Sequence, residues 1–191
     1  EPCGIGFFQP EKSNSTCLAS LPGFFVDIIG SSQIFPCPAG SFQPNEGGSE
    51  CNPASPGFFV NEIGSASQEP CPEGTYNANS SAISILQCQI TPSGNYSQPG
   101  SESFIPCSPG SFQTLPGQSK CMSSDIGFFV DFSGSSSQFS CPDYSSTISN
   151  GSTSVNDCLS PLPGNFKDES NELNFSPCPL GKFQPLPGQT I

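Results

Sequence analysis

The 191-residue sequence contains no histidine and no tryptophan, and only four basic residues, Lys12, Lys120, Lys167 and Lys182, against sixteen acidic ones. The formal net charge of −12 leaves no surface able to neutralise a row of phosphates or an anionic bilayer, which excludes nucleic acid and lipid headgroups as partners. No run of about eighteen apolar residues occurs, so this segment predicts no membrane span and no membrane contact. The N-terminus also lacks the charged-then-apolar pattern of a secretion signal, and any leader or anchor is expected outside the segment. There is no GxSxG, no glycine-rich loop ending in Lys-Ser/Thr and no Cys-x-x-Cys pair. The carboxylates are scattered through turns, with Asp168 and Glu169 adjacent on a polar stretch. These absences predict no enzyme, no cofactor, no metal and no small-molecule substrate.

What the chain does have is 22 Pro, 20 Gly and 11 Cys, with only 33% hydrophobic residues. That composition does not support one large core, and the cysteines predict disulfides in an oxidising, extracellular or cell-surface compartment. The cysteines stand at 3, 17, 37, 51, 71, 88, 107, 121, 141, 158 and 178, with gaps alternating between a short one of 14 or 17 and a long one of 19 or 20. A period of that length is the mark of a repeat array. The expected repeats are 1–36, 37–70, 71–106, 107–140, 141–177 with an atypical first half, and a truncated 178–191.

Each repeat divides into two half-units that share a step from Gly through any residue to an aromatic. It recurs ten times, at Gly6/Phe8, Gly23/Phe25, Gly40/Phe42, Gly57/Phe59, Gly74/Tyr76, Gly94/Tyr96, Gly110/Phe112, Gly127/Phe129, Gly164/Phe166 and Gly181/Phe183. The half-unit from Cys141 breaks the pattern: Tyr144 takes the Gly slot and Ser146 the aromatic slot, which predicts distortion or loose packing there. Short β-prone runs between Pro and Gly, with no helical period, predict a small disulfide-rich all-β fold, an elongated tandem array of short β-hairpins. A half-unit of about seventeen residues is too small for a core of its own. One ring against a disulfide is the expected substitute, with Phe25, Phe59 and Phe129 facing the crosslinks.

Sequential pairing can run across the short gaps or the long ones, and either scheme leaves one cysteine over. The short gaps are favoured because each brackets a complete Pro-x-Gly-x-aromatic hairpin, which brings its own ends together. They give Cys3 with Cys17, Cys37 with Cys51, Cys71 with Cys88, Cys107 with Cys121 and Cys141 with Cys158. The run from Cys178 matches that from Cys107 position for position up to Ile191, so the partner of Cys178 is expected at the next residue.

The run Cys37-Pro-Ala-Gly-Ser-Phe-Gln-Pro-Asn-Glu-Gly-Gly-Ser-Glu-Cys51 and its relative Cys71-Pro-Glu-Gly-Thr-Tyr76 resemble the ephrin-receptor-like cysteine-rich repeat. They are also similar to the opening loop of tumour-necrosis-factor-receptor modules. The resemblance extends over essentially the whole chain and implies an extracellular hairpin repeat. Those families usually add a cysteine before the second Pro-Gly, and that place is read here as Leu21, Ser55 or Asp125.

Five N-glycosylation sequons are present, at Asn14, Asn79, Asn95, Asn150 and Asn174; Asn95 is the least favourable, because it lies within a Gly-x-aromatic step. Asn14, Asn79 and Asn150 are expected to carry glycans, and the Ser and Thr content predicts O-glycans as well. Asp27, Asn61 and Asp131 share one repeated position, but one or two oxygen ligands apiece fall short of a calcium loop. In Phe24-Phe25, Phe58-Phe59 and Phe128-Phe129 successive side chains face opposite ways. Phe24, Phe58 and Phe128 therefore either cover neighbouring half-units or form a stripe for self-association. The sequence predicts an extracellular, glycosylated structural repeat, a rod or filament subunit that associates with itself or with other fibre proteins; a receptor or adhesion ectodomain is the alternative.

Overall fold

Every half-unit opens with the same turn. In Leu21-Pro22-Gly23-Phe24 the Phe24 N–H donates to the Leu21 carbonyl at 3.0 Å, and Gly23 sits at φ +85°. Proline presets the second turn position and glycine supplies the positive φ of the third, so the spacing of Pro, Gly and aromatic is dictated by turn geometry. In the computed structural model, which describes residues 1–11, 16–167, 175–180 and 182, equivalent bonds recur from Phe7–Gly4 to Lys182–Pro179. Tyr144 occupies the glycine slot of its own turn at φ +61°. Half-unit 9 accordingly retains only a single bridge between Ser146 and Leu159 in place of a ladder.

After the turn the chain forms a strand, loops through polar residues and returns as a second strand. Half-unit 3 (37–53) pairs Ser41–Phe42 with Asn52–Pro53, and half-unit 4 (54–70) pairs Phe58–Phe59 with Glu69–Pro70, both antiparallel. Nine such two-stranded hairpins occur among the described residues, with strands of two or three residues. The protein is all-β, a tandem array of short hairpins, with two brief 3₁₀ turns among the described residues, at Ile85–Gln87 and Val155–Asp157.

The chain forms two compact units, one of Glu1–Ile90 with Ser97–Phe104, the other of Thr91–Tyr96 with Ile105–Ile191. In the first, each half-unit is tied to the next by three backbone hydrogen bonds. From half-unit 3 to half-unit 4 these are Gly40 N–H to Val60 O at 2.8 Å, Gln43 N–H to Ser65 O at 3.1 Å, and Gly64 N–H to Cys37 O at 2.8 Å. In the second unit, half-unit 7 (107–123) meets half-unit 8 (124–140) through Gly110 to Val130 at 2.8 Å, Gln113 to Ser135 at 3.1 Å, and Gly134 to Cys107 at 2.8 Å. The step is the same at both places. The structural repeat is therefore the half-unit, and the 34- to 37-residue period is set by which half-units carry a disulfide.

Contacts also reach the half-unit after next. A Cβ built on Gly57 would lie 2.1 Å from the Gly100 carbonyl oxygen, so the backbones of half-units 4 and 6 approach too closely for any side chain. Glycine is needed there twice over, for its φ of +85° and for the absent Cβ.

The core is distributed along the array. One buried residue stands three positions before the first turn glycine of a half-unit, and from half-unit 2 to half-unit 8 another stands three after it. The first set includes Cys37, Cys71 and Cys107 in stapled half-units and Ser20, Ala54, Thr91 and Ser124 in unstapled ones, each at 0% exposure. This places the lost cysteine at Ser20, Ala54 and Ser124, correcting Leu21, Ser55 and Asp125, which are exposed. Only small side chains fill a slot that otherwise holds half a disulfide. In the second set Val26, Val60 and Val130 alternate with Gln43, Asn77 and Gln113. The glutamines use their length: Gln43 Nε2 donates to Glu50 O at 2.7 Å and Gln113 Nε2 to Lys120 O at 2.8 Å, bracing the disulfide loop from inside. Asn77 is too short to do so in its longer loop, and its Nδ2 is buried without a partner.

Candidate functional site

The disulfides join Cys3 to Cys17, Cys37 to Cys51, Cys71 to Cys88, Cys107 to Cys121 and Cys141 to Cys158, the short-gap scheme, each with a Cα–Cα distance of 5.7 Å. Cys178 is half-buried and unpaired. Each bridge closes one hairpin loop, and a loop of about fifteen residues contributes roughly 3 kcal/mol in the chain-entropy description.

Two unstapled half-units hold their loops with a glutamine instead. Gln68 accepts from the Ser55 N–H at 2.7 Å and donates to Ser55 Oγ at 3.3 Å. Gln138 accepts from the Asp125 N–H at 2.7 Å and donates to the Asp125 carboxylate at 2.8 Å. Both clasps span thirteen residues. At about 0.5–1.5 kcal/mol per hydrogen bond, such a clasp is weaker than the bridge it replaces.

In two of the three double aromatics the second ring packs across its own hairpin. Phe25 meets Phe35 with centroids 6.0 Å apart, and Phe129 meets Phe139 at 5.9 Å. This corrects the expectation of a disulfide partner: these rings belong to half-units that have no disulfide, and the facing strand supplies another aromatic. Phe59, opposite Glu69, is 5% exposed. The first rings are half-buried. The tip of Phe24 lies over Gly64 and that of Phe58 over Gly100, where a Cβ would come within 3.7 and 3.0 Å of the rings. Phe128 is half-buried in the second unit.

Asn79 and Asn150 are exposed in loop turns. Asn95 is half-buried in the strand Asn95–Tyr96, and its Nδ2 donates to Ser93 O at 3.0 Å and Pro92 O at 3.5 Å. Asn14 and Asn174 lie outside the described residues, as do Asp168 and Glu169. Asp27, Asn61 and Asp131 are exposed, and among the described residues no group of three or more His, Cys, Asp or Glu is arranged to hold a metal ion.

The two longer loops also carry exposed apolar side chains. The extra residues become 3₁₀ turns capped by Ser84 and Ser154, and they turn Ile85, Leu86 and Val155 outward, Leu86 at 90% exposure. In the second unit Ile148, Leu159 and Leu162 line a shallow apolar depression of about 440 Å³. It holds no titratable group. These residues give no sequence signal of function, because a short apolar run inside a disulfide loop reads equally well as packing.

Residues 35–71 match the family described as tyrosine-protein kinase ephrin type A/B receptor-like. The ephrin-receptor-like segment covers half-units 3 and 4 together with the flanking strand and Cys71, so its module is one stapled and one clasped half-unit in sequence. The match is to a receptor-like cysteine-rich module and not to an enzyme family. No curated protein matches the chain. Among the described residues no helix is long and apolar enough to cross a membrane.

Proposed function

We propose that this chain is part of an extracellular, glycosylated structural protein, the repeating shaft of a cell-surface fibre or flagellar hair, with no catalytic role. The observation that supports this reading is the recurrence of the same three backbone hydrogen bonds from one half-unit to the next throughout the first compact unit and again from half-unit 7 to half-unit 8, in stapled and unstapled half-units alike. Such a chain gains length without gaining a new kind of site, and its surface chemistry recurs instead of converging. Any lateral contact it makes is offered again at a regular interval. The solvent-facing edges of Phe24, Phe58 and Phe128, with Ile29 and Ile63 beside the turns at 64% and 69% exposure, are the side chains a second copy would bury. Each ring or branched chain contributes about 1–3 kcal/mol before the cost of ordering.

A protein-binding ectodomain is the second reading. It is favoured by the outward Ile83, Ile85 and Leu86 on a stretch from Gly74 to Ser101 that carries no charged residue. Sedimentation and negative-stain imaging of the native material and of a Phe24→Ser/Phe58→Ser/Phe128→Ser variant separate the two. Disulfide-intact variant protein that no longer forms fibres supports the shaft reading. Native material that stays monomeric at all concentrations sinks it and leaves the ectodomain.

A further inference from the structure

The sequons differ in whether the folded chain leaves them readable, and the loop from Cys141 to Cys158 holds the sharpest case. Asn150 itself is exposed, but the two residues that complete its sequon are tied into the array. Gly151 is at φ +81°, and its N–H donates to the Ser124 carbonyl at 2.9 Å. Ser152 is 8% exposed, and its hydroxyl donates to Ser149 O at 3.3 Å. The Ser152 carbonyl accepts from the Val130 N–H at 3.0 Å and from Ser124 Oγ at 3.3 Å. Glycan transfer requires the opposite condition. The asparagine amide and the hydroxyl two residues on must both be accessible when the sequon is read. In the reaction, the amide nitrogen forms a bond to the sugar C1 of a lipid-linked oligosaccharide diphosphate. The C1–O bond to the diphosphate breaks, the lipid diphosphate leaves with the electron pair, and the amide gives up one proton.

We propose that Asn150 accepts a glycan only while half-unit 9 is open, so that oxidation of Cys141 and Cys158 decides whether this position is modified. The inference rests on the glycoprotein reading above. Ser124 and Val130, the partners that bury the sequon from outside its loop, both precede it in the chain and are already synthesised when Asn150 emerges. The remaining requirement is Cys158, eight residues later. At a synthesis rate of about 5–20 residues per second that interval is on the order of a second, after which transfer competes with closure. Asn79 provides an internal reference. It too lies in a disulfide loop, Cys71 to Cys88, and Ser81, the last residue of its sequon, is held at φ +58° with its N–H on the Ala54 carbonyl at 2.8 Å, but the Ser81 side chain is exposed where that of Ser152 is buried. Asn95 falls with Asn150, because Ser97 is fully buried and the Asn95 amide is engaged with two carbonyls.

The test is synthesis of the chain into endoplasmic-reticulum microsomes with and without dithiothreitol, followed by glycopeptide mass spectrometry at each asparagine. A Cys141→Ser/Cys158→Ser variant made without reductant is read alongside. Asn150 occupancy is expected to rise under reduction and in the variant, while Asn79 occupancy stays the same in the variant. Equal Asn150 occupancy in all three samples, with Asn79 modified, overturns the proposal. If no asparagine is modified in any sample, the glycoprotein reading itself fails, and the proposal fails with it.

Discussion

Gly57 and Gly64 lie in the same half-unit, and replacing each with alanine separates two costs that usually arrive together. Both have positive φ, +85° and +78°, so each substitution carries a backbone penalty of about 1–2 kcal/mol for a left-handed L-residue. Each also gains about 0.4–1 kcal/mol from the narrower unfolded ensemble. These contributions nearly cancel in the difference between the variants. What remains is space. An alanine Cβ at Gly64 meets its nearest neighbour, the Phe24 ring, at 3.7 Å, an ordinary contact. At Gly57 it meets the Gly100 carbonyl oxygen at 2.1 Å and the carbonyl carbon at 2.6 Å, and neither is a flexible side-chain end. Relief requires half-units 4 and 6 to separate by roughly 1 Å, an overpacking strain of about 1–3 kcal/mol. That movement also strains the bond from Gly57 N–H to Asn77 O, now 2.7 Å long, which is worth a further 1 kcal/mol or so. We therefore expect Gly64→Ala to cost about 1 kcal/mol or less, and Gly57→Ala about 2–4 kcal/mol more. The measurement is denaturant unfolding with the disulfides intact, supported by amide hydrogen exchange at Gly57 and Val60. Equal destabilisation by the two substitutions would refute the close approach between alternate half-units.

Tyr144→Gly is expected to stabilise half-unit 9 by about 1 kcal/mol, because Tyr144 holds φ +61° in a slot that glycine fills elsewhere; a lowered melting temperature would count against this. Gln68→Ala and Gln138→Ala should each cost about 1–2 kcal/mol by releasing a clasp, and faster exchange of the Ser55 and Asp125 amides is the local readout. Val60→Ala, at 2% exposure, should cost about 1–3 kcal/mol through the cavity it leaves, with hydrogen exchange accelerated in half-units 3 to 5 and little changed elsewhere. Non-reducing peptide mapping is expected to recover Cys37 joined to Cys51; a peptide joining Cys51 to Cys71 contradicts the connectivity.

The hairpins and their crosslinks were legible because each depends on local chemistry. Proline and glycine at fixed offsets force the turn, the turn makes the hairpin, and the hairpin brings Cys37 beside Cys51. The equivalence of Cys37, Ala54 and Cys71 was misplaced by one residue, because nothing marks Ala54 or Ser20 except that no water reaches them. The role of the position after the aromatic was hidden for a related reason. Val60 and Gln43 have no side-chain chemistry in common, and what recurs from one half-unit to the next is the use of their backbone N–H and carbonyl. The clasps of Gln68 and Gln138 join residues thirteen apart, and no cysteine or other residue type marks the pair in the sequence. The 3₁₀ turns arise from three added residues in the loops of Cys71 and Cys141, an insertion visible only as a longer gap.

The alternation of stapled and unstapled half-units also has a mechanical meaning. Under tension, a stapled half-unit that opens can lengthen only by the few residues outside its disulfide, because the two cysteines stay 5.7 Å apart at their Cα atoms. A clasped half-unit has no such stop. Opening half-unit 4, residues 54–70, would pay out the whole segment, roughly 55–60 Å of contour at about 3.3–3.6 Å per residue. Links that yield thus alternate with links that hold. A chain built this way would absorb a sudden pull in discrete steps at its unstapled half-units, while each disulfide limits how much of the next half-unit can follow.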